Sequence, residues 1–265
     1  MKAAACQFEP VWLETETNLS TMQRLAEEAA NRGASLIVFP ECCVTGYVTG
    51  PDAARIADSA EALSGPNAGT ATRFMAGLAK NLGAVVAAGL PELSGSVVYN
   101  SMAVFGPSGR VIGVHRKVHL WEEESAIFDA GNSFATVASP AGVLGPLVCY
   151  DLEFPEASRT LALRGAEVLI VSTANMEPWG RAQDCFVVSR ALENGVFLVL
   201  ANLVGAREQL IFVGGSCIVG PDGEVLASAG HDEEAVVVAE IDLGQVVETR
   251  RVSDYLGRRQ PGAYD

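Results

Sequence analysis

The chain has 265 residues, room for one large domain or two small ones, and 49% of them are apolar, so a sizeable core is expected. Eighteen basic against 32 acidic residues leave a net charge of −14, a field that repels a phosphate backbone and argues against nucleic acid as a partner. No stretch approaches ~20 apolar residues without a charge, which argues against a membrane span, and the early polar residues argue against a signal peptide.

The segment Met1 to Phe8 reads as a first buried strand. Asn18 to Asn31 has a helical pattern, with Leu19, Met22, Leu25, Ala26 and Ala29 on one face. Ala34 to Phe39, bounded by Gly33 and Pro40, predicts a buried strand. Thr70 to Asn81, closed by Gly83, predicts a second helix, and Ala84 to Leu90 a further strand. Arg110 to His115 and Gly145 to Val148 read as strands, and Pro155 suits the first turn of a helix running to Gly165. This alternation argues for an α/β fold.

The chain echoes itself. Arg32-Gly33-Ala34-Ser35-Leu36-Ile37-Val38 returns as Arg164-Gly165-Ala166-Glu167-Val168-Leu169-Ile170-Val171. The turn Gly106-Pro107-Ser108-Gly109 returns as Gly220-Pro221-Asp222-Gly223, with Pro presetting φ and Gly accepting a positive one. Two echoes in the same order predict two pseudo-equivalent halves, and two sheets stacked face to face with helices outside would bury runs this apolar. No long linker separates the halves, so residues 1–265 are read as one domain.

Six cysteines show no secreted-framework spacing, which predicts a reduced, cytoplasmic protein. Three histidines and no Cys-x-x-Cys pair argue against a metal site, and no Gly-rich phosphate loop follows the first strand, so no cofactor is expected.

Three segments place a reactive group just past a strand. Glu41 follows Pro40, which ends its strand at the edge where open α/β sheets hold ligands. Lys117 follows the strand ending at His115, with His115 and His119 at i−2 and i+2, on the same side of an extended chain. Cys149 sits on a strand-to-helix elbow, where helix N–H groups favour thiolate. Each also has a plain structural reading: a solvated loop glutamate, an edge lysine, a buried inert cysteine. Together they supply a base, a cation and a thiol for attack on an amide carbonyl. A Cys–His hydrolase using His115 or His119 stays open, as does a non-catalytic α/β binding module.

Phe39-Pro40-Glu41, Arg116-Lys117-Val118-His119-Leu120 and Cys149-Tyr150-Asp151-Leu152-Glu153-Phe154-Pro155-Glu156 resemble motifs of the nitrilase superfamily of carbon–nitrogen hydrolases. So do Glu124 to Phe128 with Gly131, Ser172-Thr173-Ala174-Asn175 and Arg190 to Asn194. The resemblance runs from Ala3 to about Leu243. It implies a four-layer α-β-β-α sandwich, Cys149 as nucleophile, Glu41 as general base and Lys117 as electrostatic stabiliser. It also implies Glu124 as a second glutamate orienting substrate or triad, and the Tyr150 N–H as oxyanion donor. Tyr47, Phe128, Tyr150, Glu153 and Asn175 are the substrate-binding candidates. Tyr after the cysteine resembles the amidase and carbamoyl-hydrolase branches more than the nitrilases, which more often carry Trp there. The substrate implied is a small, short aliphatic amide, neutral or amino-bearing, with an N-carbamoyl compound or a nitrile as alternatives. The superfamily's habits imply a homodimer or larger homo-oligomer. Amidases of carboxylate-bearing amides resemble Cys-Tyr-Asp-x-Arg-Phe-Pro-Glu; here Glu153 stands at the arginine's place, which predicts that anionic substrates are disfavoured.

Overall fold

The computed structural model describes residues 1–47 and 54–264. The first half runs β1 (Lys2–Gln7), α1 (Thr15–Asn31), β2 (Ala34–Val38), α2 (Ala54–Asp58), α3 (Thr70–Leu82), β3 (Val85–Ser94), β4 (Val97–Phe105) and β5 (Val111–Arg116). The second half runs β6 (Val137–Ser139), β7 (Gly142–Val148), α4 (Pro155–Leu163), β8 (Val168–Thr173), α5 (Gly180–Asn194) and β9 (Phe197–Asn202). A short ribbon of β10 (Ala206–Arg207) and β11 (Leu210–Ile211) precedes β12 (Cys217–Val219), β13 (Val225–Ser228), β14 (Ala235–Glu240) and α6 (Gly244–Val252).

Two six-stranded sheets result, ordered β14-β1-β2-β3-β4-β5 and β13-β12-β9-β8-β7-β6. In the first, β1, β2 and β3 are parallel and β4, β5 and β14 are added antiparallel. In the second, β7, β8 and β9 are parallel and β6, β12 and β13 antiparallel. The sheets therefore correspond strand for strand, with β2 matching β8 as the sequence echo predicts. The two Gly-Pro turns match in detail: Gly109 N–H donates to the Gly106 carbonyl and Gly223 N–H to that of Gly220, each at 2.9 Å, with φ of +75° and +85°.

Period-2 alternation decides the layers. Leu36 and Val38 of β2 and Val168 and Ile170 of β8 fill the core between the sheets. Ile37 faces outward onto α1 and α3, through Met22, Leu25, Met75 and Leu78. Leu169 and Val171 face α4 and α5, through Leu161, Val187 and Ala191. Both faces of each sheet are covered, and the four layers are helix, sheet, sheet, helix.

Two of the boundaries that differ from the sequence reading have plain physical reasons. α1 begins at Thr15 rather than Asn18, because Asn18 is an inward-facing polar residue: it accepts from Val11 N–H at 2.7 Å and donates to the Val11 and Val44 carbonyls. β3 continues through Pro91 to Ser94 because β2 pairs with it only as far as Ala87. Beyond that point Pro91 needs no ladder donor on that side, and its carbonyl accepts from Glu61 N–H at 3.1 Å.

Candidate active site

The ends of β2, β5, β7 and β8 converge. Ser172 Oγ on β8 donates to the Phe39 carbonyl at 2.7 Å, tying the second sheet to the loop that follows β2. That loop carries Glu41, and Gly89 on β3 lies beneath it. A Cβ at Gly89 would stand 2.6 Å from the Glu41 Cα and from the Pro40 carbonyl oxygen, so only glycine lets the loop seat here.

Glu41 is fully buried and every contact it makes is specific. Its Oε1 accepts from Lys117 Nζ at 2.9 Å and Asn100 Nδ2 at 2.7 Å, and its Oε2 from Ala174 N–H at 2.9 Å. Lys117, 1% exposed, also donates to Glu124 Oε1 at 2.9 Å, and Asn100 Nδ2 reaches the same oxygen at 3.1 Å. Glu124 Oε2 accepts from Trp121 N–H at 2.6 Å. An ammonium and a carboxamide thus sit between two carboxylates in a buried site, where such contacts are stronger than in water.

The charge balance sets the proton positions. Burial, with the charge of Glu124, raises the Glu41 carboxyl above the ordinary glutamate range, against the pull of Lys117 and Asn100. Burial alone would lower Lys117, but the carboxylates of Glu124 and Glu41 outweigh it and hold the ammonium well above its usual value.

Cys149 follows β7 directly with φ +46°, a left-handed conformation that a cysteine adopts only when its surroundings impose it. The thiol differs from the sequence expectation of a thiolate. A 3-10 turn over Cys149–Glu153 lies between the β7 strand and α4, which starts only at Pro155. Burial and then the Glu41 carboxylate push the thiol up, and Lys117 and a hydrogen bond with Thr173 only partly oppose them. These effects favour the neutral thiol over the thiolate.

The histidines also depart from the extended-chain expectation. Lys117 goes to the glutamates, whereas His115 Nε2 and His119 Nδ1 each lie 2.8 Å from the Asp151 carboxylate. Asp151 further accepts from His119 N–H at 2.9 Å, Val118 N–H at 3.2 Å and Val148 N–H at 3.3 Å. His119 also stacks on Phe154, centroids 3.7 Å apart. The histidine pair is therefore a clasp joining the Lys117 loop to the cysteine elbow, which removes the basis for a Cys–His pair. Burial would raise Asp151, but the hydrogen bonds from both histidines hold it far below the usual carboxylate range.

Two small clefts meet at Cys149, Glu153 and Asn175. Thr173, Gln183 and Phe186 add to one, and Tyr47, Trp121, Tyr150 and Trp179 to the other. Of the substrate-binding candidates, Tyr47, Tyr150, Glu153 and Asn175 stand on these walls. Phe128 lines neither cleft: its ring is buried in the apolar cluster behind them with Tyr47, Ile56 and Met176. Glu124 likewise lines neither and acts on Lys117 and Asn100 instead. Sequence reasoning passed over Asn100 and Gly89. Asn100 left a signal, a polar Asn-Ser pair inside the apolar run of β4, which must find partners when buried. Gly89 is one small residue in a small-residue strand and left none.

Fold and site together define an α/β enzyme of the doubled-sandwich type, with a cysteine on a strained elbow over a Glu–Lys–Glu cluster. The chain belongs to the carbon–nitrogen hydrolase family, whose profile matches residues 2–251, and so acts on C–N bonds. It is 39% identical to an (R)-stereoselective amidase from Pseudomonas sp over 249 residues, 93% of this chain and 87% of that one. It is 38% identical to a nitrilase from Pyrococcus abyssi over 258 residues, 96% and 94% of the two chains. Its structure is similar to that of an amidase from Nesterenkonia sp. AN1, solved as a glutamate-to-glutamine variant with the acetamide moiety of fluoroacetamide on the active-site cysteine. That match has a TM-score of 0.87 at 29% identity and covers 100% of this chain and 95% of that one.

Proposed function

We propose that the protein hydrolyses a small-molecule amide to a carboxylic acid and ammonia through a thioester on Cys149. The observation that carries this reading is the Lys117 ammonium held between the Glu41 and Glu124 carboxylates, close to the half-buried Cys149 thiol that lines both clefts. Glu41 takes the Cys149 proton as the sulfur attacks the amide carbon. The carbonyl oxygen becomes negative, and the Lys117 ammonium and the Tyr150 N–H meet it; a donor of this kind is worth about 3–4 kcal/mol of transition-state stabilisation. The C–N bond breaks as Glu41 gives its proton to the departing ammonia. Water then loses a proton to Glu41 and attacks the thioester, and that proton returns to the Cys149 sulfur as the C–S bond breaks. Glu124 and Asn100 position Lys117 and Glu41 throughout.

Kinship with an amidase and the tyrosine after Cys149 favour an amide over a nitrile or an N-carbamoyl compound. Ammonia release from a panel of amides, carbamoyl amines and nitriles tests this. Turnover of amides is expected to vanish in Cys149→Ala with the fold retained, and substantial ammonia release by that variant would refute the assignment. Exposed apolar side chains on α6 and beyond it, Val247, Val252, Tyr255 and Tyr264, support a homodimer or larger assembly. Six free cysteines support a reducing, cytoplasmic setting.

A further inference from the structure

Glu153 is the one charged side chain among the described residues that line the two clefts. It stands on both, next to Cys149, and its carboxylate makes no hydrogen bond or ion pair with any described residue. The neighbouring cations are committed elsewhere. Lys117 serves Glu41 and Glu124. Arg190 donates to the Leu152 and Glu153 backbone carbonyls at 3.0 and 2.7 Å and to Glu193 Oε1 at 3.2 Å. Arg159 donates to the Glu193 carbonyl at 2.8 Å. Burial lifts the Glu153 carboxyl somewhat, with Lys117 and Arg190 drawing it back. A half-buried, unpaired carboxylate carries a desolvation cost that a partner cation offsets.

The surroundings suit such a cation. Four aromatic residues, Tyr47, Trp121, Tyr150 and Trp179, share the cleft with Glu153, and rings attract an ammonium through their quadrupoles. The molecule's net charge of −14 adds a field of the same sign. We propose that this cleft takes amides whose acyl chain carries a protonated amine, the ammonium seated on Glu153 among these rings and the amide carbon at Cys149. This rests on the amidase reading and names its substrate class: amino-amides, with neutral amides slower and carboxylate-bearing amides slowest.

Two measurements test it, one of which needs no turnover. In the first, kcat/KM is compared for 3-aminopropanamide and its neutral isostere butanamide. The amino-amide is expected to be favoured by about tenfold or more, the size of one partly screened charge pair. Glu153→Gln is expected to bring the ratio near one, and Glu153→Asp, which keeps the charge, to preserve a preference. In the second, alkylation of Cys149 by 2-bromoethylammonium and by iodoacetate is followed by mass spectrometry, each rate divided by that on free glutathione. The bias toward the cationic reagent is expected to fall about tenfold in Glu153→Gln. Alkylation bias without ammonia from any amide would count against amide turnover and leave the cation seat standing. Equal handling of the two amides, or a bias unmoved by Glu153→Gln, overturns the cation seat itself.

Discussion

At the scale of single residues, the site works by mismatched environments. Glu41 is buried beside another carboxylate, which raises it, yet it accepts three hydrogen bonds that hold it in one orientation. A base must be ionised to accept the thiol proton, so the acid limb of kcat/KM is expected above the ordinary glutamate value of ~4.3, with activity lost as pH falls through it. Glu41→Gln is expected to lower kcat/KM by ~10²–10⁴-fold and to abolish that limb; a variant with the wild-type profile would exclude Glu41 as the base. Gly89 matters through what it lacks. Gly89→Ala puts a carbon 2.6 Å from the Glu41 backbone, and backbone cannot swing aside as a side-chain tip can. A cost of about 1–3 kcal/mol in urea denaturation is expected, with a loss of activity near ~10²-fold from displacement of Glu41.

At the scale of elements, the cysteine elbow and the lysine loop are held as one piece by Asp151. Its carboxylate reaches the ends of β5 and β7 through two histidine rings and three backbone N–H groups. The folded carboxyl lies well below the unfolded value, so its stabilisation is fully present above about pH 4 and is lost as pH falls further toward the folded value. Asp151→Asn is therefore expected to cost about 3–5 kcal/mol at neutral pH. The gap to the wild type should narrow below about pH 4 in chemical denaturation at stepped pH. A gap constant with pH would mean that the charge of Asp151 does not carry the clasp. The histidine spacing that kept a Cys–His pair open in the sequence belongs to this clasp.

At the scale of the whole molecule, the two sheets share one apolar layer, and the Glu–Lys–Glu cluster sits at its end. Ile170 of β8 is fully buried in that layer with Leu36, Val38 and Val199. Ile170→Ala is expected to cost about 2–5 kcal/mol, depending on how far the sheets collapse into the cavity, as read by thermal or urea unfolding.

The sequence by itself determined the α/β alternation, the doubling and the strand-end positions of Glu41, Lys117 and Cys149. Apolar period, proline stops and repeated Gly-Pro turns are local signals, and the register of one strand fixes which side chains face which layer. Only the tertiary structure decided which groups pair. Lys117 and its flanking histidines are sequence neighbours, yet the lysine goes to Glu41 and Glu124 and the histidines to Asp151. The thiol's protonation was likewise beyond local reading, since it depends on burial and on a carboxylate from another strand. Asn100, which touches both glutamates, and Gly89, which lets the Glu41 loop seat, come from strands whose sequence gives no hint of that neighbour. Chemistry at strand ends is legible locally because the chain must stop there; electrostatics is not, because it sums over whatever the fold brings near.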